Sequence, residues 1–329
     1  MSSLPHQIGA AIGIRFTGLR QAGGQHGVRH LTGTLADGRE VFVKARTGHG
    51  DEAAATAAPA QPAGSAEPAG SAEPGGDFAA EANGLRWLAG ADGGPPVPQV
   101  IGVSAEFLVI ELIGRQENPS RGAARRLGAD LARLHRAGAP AFGAPWPGYI
   151  ASLPLDNRPL ENVPPDNTAQ VGTLPDSSPD WAAWYAERRL LPYLRLARDE
   201  RALPAADSRL VEAVVARLGE LAGPPEPPSR IHGDLWSGNV LWSGGRGWLI
   251  DPAAHGGHRE TDLAMLALFG APHLGEIRRG YAETAPLADG WAARVPLHQL
   301  HPLLVHVCLF GSSYAPQLLA TARAALAGR

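Results

Sequence analysis

The sequence predicts an α+β fold with a small antiparallel sheet in its N-terminal part and a larger, mainly helical C-terminal part. Residues 12–43 alternate short apolar segments with glycine-rich turns, the pattern of half-buried strands. From residue 120 onward the apolar residues recur at every third or fourth position, which is one face of a helix. A chain of 329 residues with 44% apolar content can also bury a substantial core, as one large domain or two lobes. We divide it into an N-terminal lobe, 1–111, and a C-terminal lobe, 112–329.

In the first lobe, Ile12 to Phe16, Val28 to Leu35 and Val41-Phe42-Val43 read as strands of a meander. Gly23-Gly24-Gln25-His26-Gly27 and Asp37-Gly38 are its turns, Asp-Gly being the strongest local hairpin cue. Residues 46–77 break the pattern with Ala, Pro, Gly, Ser and Glu and a near-repeat of Pro-Ala-Gly-Ser-Ala-Glu. Such composition buries too little apolar area to offset its ordering entropy, so a flexible insertion is expected there. Phe78, Ala82, Leu85, Trp87 and Leu88 then fit a helix, and Val100 to Val103 and Phe107 to Ile113 fit two further strands.

In the second lobe, Leu127, Leu131 and Leu134 form a helical stripe ending at His135, which reads as a satisfied core or interface histidine rather than a catalytic base. Residues 154–180 are rich in Pro, Asp and Asn, as in a long connection. An aromatic helical segment starts at Trp181, and another helix, begun by Asp207 or Ser208, carries Leu210 to Leu221. Val240 to Trp242 and Gly247 to Ile250 read as a hairpin. Thr261 or Asp262 is placed to cap a helix over Leu263 to Phe269, or Asp262 to accept bonds from the preceding loop. His301 to Leu326 is largely helical.

A net charge of −3 gives no concentrated basic face and so no argument for nucleic acid. With Cys308 as its only cysteine the chain can form no internal disulfide, which favours a cytoplasmic setting. The N-terminus lacks the pattern of a secretory signal, and no apolar run suggests a bilayer span or a membrane partner. His255, His258, His298, His301 and His306 lack a compact zinc-ligand spacing.

The chemistry is concentrated in residues 230–262. Asp234, Asn239 and Asp251 follow the spacing Asp-x-x-x-x-Asn, a strand pair, then Asp. Kinase-like enzymes use this arrangement for a catalytic carboxylate and two magnesium-binding groups. Phosphoryl transfer from a nucleoside triphosphate needs a hard cation on oxygen ligands and an acceptor for the hydroxyl proton. Asn239 and Asp251 can supply the first and Asp234 the second, whereas a loop that merely caps its own backbone would also use Asp, Asn and Gly. Lys44 ends a strand behind a glycine-rich hairpin, where its ammonium would reach the phosphates, and Glu81 is its expected ion-pair partner. Gly23 and Gly24 would let backbone approach the phosphates, although an ordinary turn uses the same residues. The backbone of Glu111, Leu112 and Ile113, in the link between lobes, is placed to bond an adenine edge.

Ile-His-Gly-Asp-Leu-Trp-Ser-Gly-Asn at 231–239, Asp-Pro-Ala at 251–253, Gly-His-Arg-Glu-Thr-Asp-Leu-Ala-Met at 257–265 and Leu-Phe-Gly at 268–270 resemble the fructosamine kinase (ketosamine-3-kinase) family. The resemblance extends through Val-Phe-Val-Lys at 41–44, Leu-Ala-Arg-Leu-His at 131–135 and Phe-Gly-Ser-Ser-Tyr at 310–314. It implies a bilobal protein-kinase-like fold and phosphorylation of the sugar 3-hydroxyl of a small-molecule or protein-linked ketosamine, with ATP and Mg2+ as cofactors. By motif position it makes Asp234 the base, Asn239 and Asp251 the magnesium ligands, Lys44 the phosphate contact and Glu81 its partner. On the acceptor side stand Trp236, His258 and Glu260; an aromatic face at Trp236 suits a sugar, while a tryptophan buried in the lobe core is the competing reading. The 46–77 insertion and His255-Gly256, where the family has aromatic residues, depart from its pattern. An aminoglycoside or amino-sugar kinase and a nucleotide-binding pseudokinase scaffold are the alternatives.

Overall fold

The computed structural model describes residues 4–25, 27–47, 77–160 and 180–328, so most of the expected insertion and much of the 154–180 connection lie outside the described residues. A five-stranded antiparallel sheet in the order β1-β2-β3-β5-β4 forms the first lobe, from β1 (Phe16–Gln25), β2 (Val28–Leu35), β3 (Glu40–Arg46), β4 (Val100–Val103) and β5 (Phe107–Glu111). Alternation sorts its side chains between two faces. Val41, Val43 and Ala45 join Leu31, Leu35 and Val109 in one apolar cluster. Phe42 lies with Phe78, Leu85 and Ile110 in another, on the face covered by α2 (Phe78–Ala89). Asp77 caps α2 by accepting the Ala79 amide.

Ile12 ends a helix, α1 (Leu4–Ile12), instead of opening a strand, because fully buried Ile8 gives α1 an anchor against the sheet. Gly23 and Gly24 are residues of β1, paired with His30 and Arg29 next to a register shift between Gln21 and Gly23. Glycine punctuates turns more often than strands, but a bulged strand tolerates it.

The second lobe is built on α3 (Arg121–Arg136), capped by Ser120, and carries a short hairpin of β6 (Gly148–Ile150) and β7 (Leu153–Leu155). A helical run follows: α4 (Trp181–Tyr185), a π-helical turn over Ala186–Leu190, and α5 (Leu191–Asp199). Next come α6 (Ala205–Ala216) and α7 (Leu218–Leu221); α6 starts after Pro204 without a side-chain cap, earlier than Asp207 or Ser208 would place it. β8 (Ser229–Ile231) pairs with β11 (His255–Gly257), and between them β9 (Val240–Ser243) and β10 (Arg246–Leu249) make the expected hairpin. α8 (Glu260–Leu268), α9 (Leu274–Thr284), α10 (Trp291–Phe310) and α11 (Ala315–Ala327) complete the lobe.

α3 and α9 meet at glycines: a Cβ on Gly128 would lie 1.9 Å from the Ile277 carbonyl oxygen, and one on Gly280 would lie 1.9 Å from that of Arg125. The stretch Trp291–Ala327 is long and apolar enough to cross a bilayer, contrary to the sequence reading. In this fold Leu297, Leu300, Leu303 and Leu304 of that stretch are buried in the core with Trp184 and Val211.

Candidate active site

The cleft between the lobes gathers residues from distant parts of the chain. β8 leads into a loop whose shape is set by Asp262, on α8 and fully buried. Its Oδ2 accepts the His232 amide at 2.8 Å and its Oδ1 the Gly233 amide at 3.0 Å, while His135 Nε2 lies 3.1 Å from Oδ2. His135 Nδ1 contacts the Tyr281 hydroxyl at 2.8 Å, so the ring is spent on structure. Of the two roles open to Asp262, the loop contact is therefore the one the structure displays, and α8 begins at Glu260 without a side-chain cap. Gly233 has φ of +83°, and a Cβ there would meet the Ala253 carbonyl oxygen at 2.3 Å, so the loop requires glycine before Asp234.

Asp234 stands next. Asn239 Nδ2 donates to its backbone oxygen at 2.8 Å and to Oδ2 at 3.1 Å, which turns the amide oxygen of Asn239 the other way. The Ile250 amide donates to the Asn239 carbonyl at 3.1 Å, and His232 Nε2 contacts the Ile250 carbonyl at 2.9 Å. These bonds fix the start of the segment carrying Asp251 against the loop carrying Asp234. In the sequence His232 is one residue of the Ile-His-Gly-Asp run with no signal of its own; the pairing of β8 with β11 brings it under Ile250. Burial, then the nearby charge of Asp251, pushes the Asp234 carboxyl up to about 7, with the Asn239 bond opposing.

Asp251 adopts a left-handed conformation with φ of +53°, a strained choice for a residue with a side chain. Its Oδ1 accepts from Lys44 Nζ at 2.6 Å, and the same ammonium donates to both oxygens of Glu81 at 2.8 and 2.9 Å. Lys44 and Glu81 are thus an ion pair across the stretch that includes residues 48–76. One ammonium shared by two carboxylates settles them unequally. Burial works to raise the Asp251 carboxyl, but the charge and hydrogen bond of Lys44 outweigh it and hold it low; for Glu81, burial prevails and raises it. Lys44 is itself pushed upward, the two carboxylates overcoming its burial.

The other candidates divide. Trp236 is 40% exposed, edge-on to Phe269, which rules against a buried lobe-core tryptophan. His258 and Glu260 are not brought to the surface beside it. Glu260 is 2% exposed and gripped by Arg294 at 2.9 and 2.5 Å, and His258 is packed among Trp181 and His298. They belong to a buried cluster with His298, in which one ligand atom from each of the three residues lies within 4.8 Å of the others, a proximity that the sequence spacing of the histidines did not suggest. In the link between lobes, β5 ends at Glu111; the Glu111 amide bonds Gln99 and the Leu112 amide bonds Glu40, so only Ile113 of the three keeps its amide outside the sheet. Gly23 and Gly24, as noted, are in the β1–β2 ladder.

A two-lobed scaffold with an Asp-Asn-Asp set facing a lysine–glutamate pair is that of a kinase-type phosphotransferase. Solved structures of low sequence identity share the fold alone, among them a macrolide 2'-phosphotransferase from Brachybacterium faecium, with TM-score 0.55 and 16% identity over 96% of each chain. The chain belongs to the fructosamine kinase family, whose model matches residues 71–163 and 166–327. A "probable ketoamine kinase" of Enterococcus faecium is 32% identical over 245 residues, 73% of this chain and 80% of that protein. Its counterpart in Klebsiella aerogenes is 35% identical over 255 residues, 76% and 79% of the two chains. A crystal structure from Thermobifida fusca, itself only provisionally named a fructosamine-3-kinase, superposes with TM-score 0.81 at 47% identity over 99% of both chains. Glu81, Asp234, Asn239 and Asp251 fall within the family match, and Lys44 lies before it.

Proposed function

We propose that the protein transfers the γ-phosphoryl group of ATP, with Mg2+, to the sugar 3-hydroxyl of a ketosamine of the fructosamine or ribulosamine type, free or protein-linked, in a cytoplasmic setting. The observation that supports this most is Asp234: a carboxylate raised to about 7 beside a second set of hard oxygen donors is matched to taking a proton from a hydroxyl near neutral pH. The amide oxygen of Asn239, turned away from Asp234, and the carboxylate of Asp251 suit a hard cation, whose bound charge would offset that of the phosphates. That Asp251 already attracts the Lys44 ammonium at 2.6 Å supports its affinity for cations.

In this reading Lys44, held by Glu81, contacts the phosphates. Asp234 orients the acceptor hydroxyl and receives its proton as the phosphorus–oxygen bond forms. Of the link residues Glu111, Leu112 and Ile113, Ile113 has an amide to offer the adenine edge, and Trp236 offers its exposed face to the sugar. Phosphorylation at the 3-hydroxyl labilises the sugar–amine linkage, so the role is deglycation. The test is ADP release by purified protein with Mg-ATP across fructosamines, ribulosamines and aminoglycosides. Turnover of ketosamines is expected; turnover confined to an aminoglycoside would replace the acceptor assignment, and none at all with bound nucleotide would favour the scaffold reading.

A further inference from the structure

Lys44 is committed to Glu81 and Asp251, and the glycines from which a backbone cradle was expected are absorbed into the β1–β2 ladder. A triphosphate entering this cleft therefore meets two carboxylates and one ammonium already shared between them, and needs another donor. Directly opposite Lys44 on the neighbouring strand stands His30, and opposed residues of an antiparallel pair project from the same face. The His30 ring lies 5.4 Å from that of Phe42, which belongs to the same cleft-side face as Lys44. It is close enough to Lys44 and Asp251 for both charges to act on it: burial first and then Lys44 lower its pKa, and Asp251 raises it. On its other side His30 pairs with Gly23, and a Cβ built there meets nothing within 4 Å among the described residues. Room is thus left beside the imidazole where any other residue would project a side chain.

We infer that His30 is a phosphate-binding residue of the nucleotide site, donating an imidazole N–H to the polyphosphate from the roof of the cleft while Lys44 acts beside it. The inference rests on the ATP-dependent reading above. Neutral or charged, an imidazole has at least one N–H to donate, and an anionic acceptor makes such a bond stronger than one to a neutral group. Phe42, two residues before Lys44 on the same face, would cover the base or ribose, which places the contact of His30 toward the phosphates.

The experiment measures binding of Mg-ATP and of adenosine by calorimetry, with kcat and KM for ATP, in wild type, His30→Ala and His30→Gln. Expected is a loss of about tenfold or more in Mg-ATP affinity for His30→Ala with adenosine affinity unchanged. The ATP KM should rise in parallel at a kcat within about twofold. His30→Gln, which keeps a donor, should recover most of the affinity. Equal Mg-ATP affinity in wild type and a folded His30→Ala overturns the inference and leaves the kinase reading standing. So does an equal loss for adenosine and Mg-ATP, which would mark a structural role. Should His30→Ala fail to fold, His30→Gln decides: retained preference for Mg-ATP over adenosine supports the inference and its loss in a folded protein overturns it. Wild type that binds no Mg-ATP overturns both.

Discussion

Asp234→Asn separates the chemistry of the cleft from its stability. A carboxyl moved from 3.8 to about 7 is held protonated more tightly by the folded protein than by the unfolded chain. Its contribution to stability is therefore fully present below about pH 4 and is lost as pH rises through 7. Above that, the ionised group destabilises the fold by at most about 4 kcal/mol. Asp234 is only part-buried, so solvent screening reduces this to about 1–2 kcal/mol. Asn at this position keeps an acceptor for Asn239 and cannot ionise. In urea titrations without nucleotide or metal, the variant should exceed wild type by about 1–2 kcal/mol at pH 8 and by much less at pH 5. Turnover should fall by about a thousandfold, the scale of a lost general base. A variant that is no more stable than wild type at pH 8, or whose advantage is the same at both pH values, would show that Asp234 is not raised and would remove the basis for calling it a base poised near neutrality.

Other outcomes follow from burial and contacts. Asp262→Ala strands the His232 and Gly233 amides and the His135 ring; we expect a loss of about 3–5 kcal/mol by denaturant midpoint and near-complete loss of activity. Trp236→Ala should leave stability within about 0.5 kcal/mol, since the side chain is exposed, and raise the acceptor KM about tenfold with little change in the ATP KM. Glu260→Gln should cost about 3 kcal/mol through Arg294 and leave the acceptor KM of the folded fraction unchanged; a selective rise in that KM would return Glu260 to the acceptor site. Gly128→Ala should lower stability by about 3 kcal/mol because its methyl group would overlap the Ile277 carbonyl.

What was legible in the sequence was local. Asp234, Asn239 and Asp251 sit on one loop and one hairpin, so their spacing alone implied their proximity, and the apolar alternation of β3 marked the strand that carries Lys44, although that strand runs on to Arg46 instead of ending at the lysine. The Lys44–Glu81 pair was reachable because both belong to strongly patterned elements. Glycine misled at Gly23 and Gly24: its turn preference is a local property, whereas their inclusion in β1 depends on pairing with His30 and Arg29. His30 escaped notice for the same reason, since only register puts it opposite Lys44. His258 and Glu260 were drawn to the acceptor by their neighbours in sequence, but the strand before them turns inward and Arg294, 34 residues beyond Glu260, claims the carboxylate. α1 was missed because the evidence for it is tertiary, the burial of Ile8 beneath the sheet.

The glycines that join α3 to α9 have a consequence for how this lobe can change over time. With Gly128 seated on Ile277 and Gly280 on Arg125, the two helices touch through backbone at two points, each backed by a carbonyl that no side chain could approach. Sliding one helix along the other by a single position would drive a bulkier residue into one of these contacts. Insertions or deletions in the connection from α8 to α9 can therefore lengthen or shorten the loop but cannot be absorbed by a shift of register. Because α3 carries His135 and α9 carries Tyr281, that fixed alignment also keeps the support for Asp262 in place. Sequence drift in this lobe should accordingly spare the two glycines and accumulate in the loops around them.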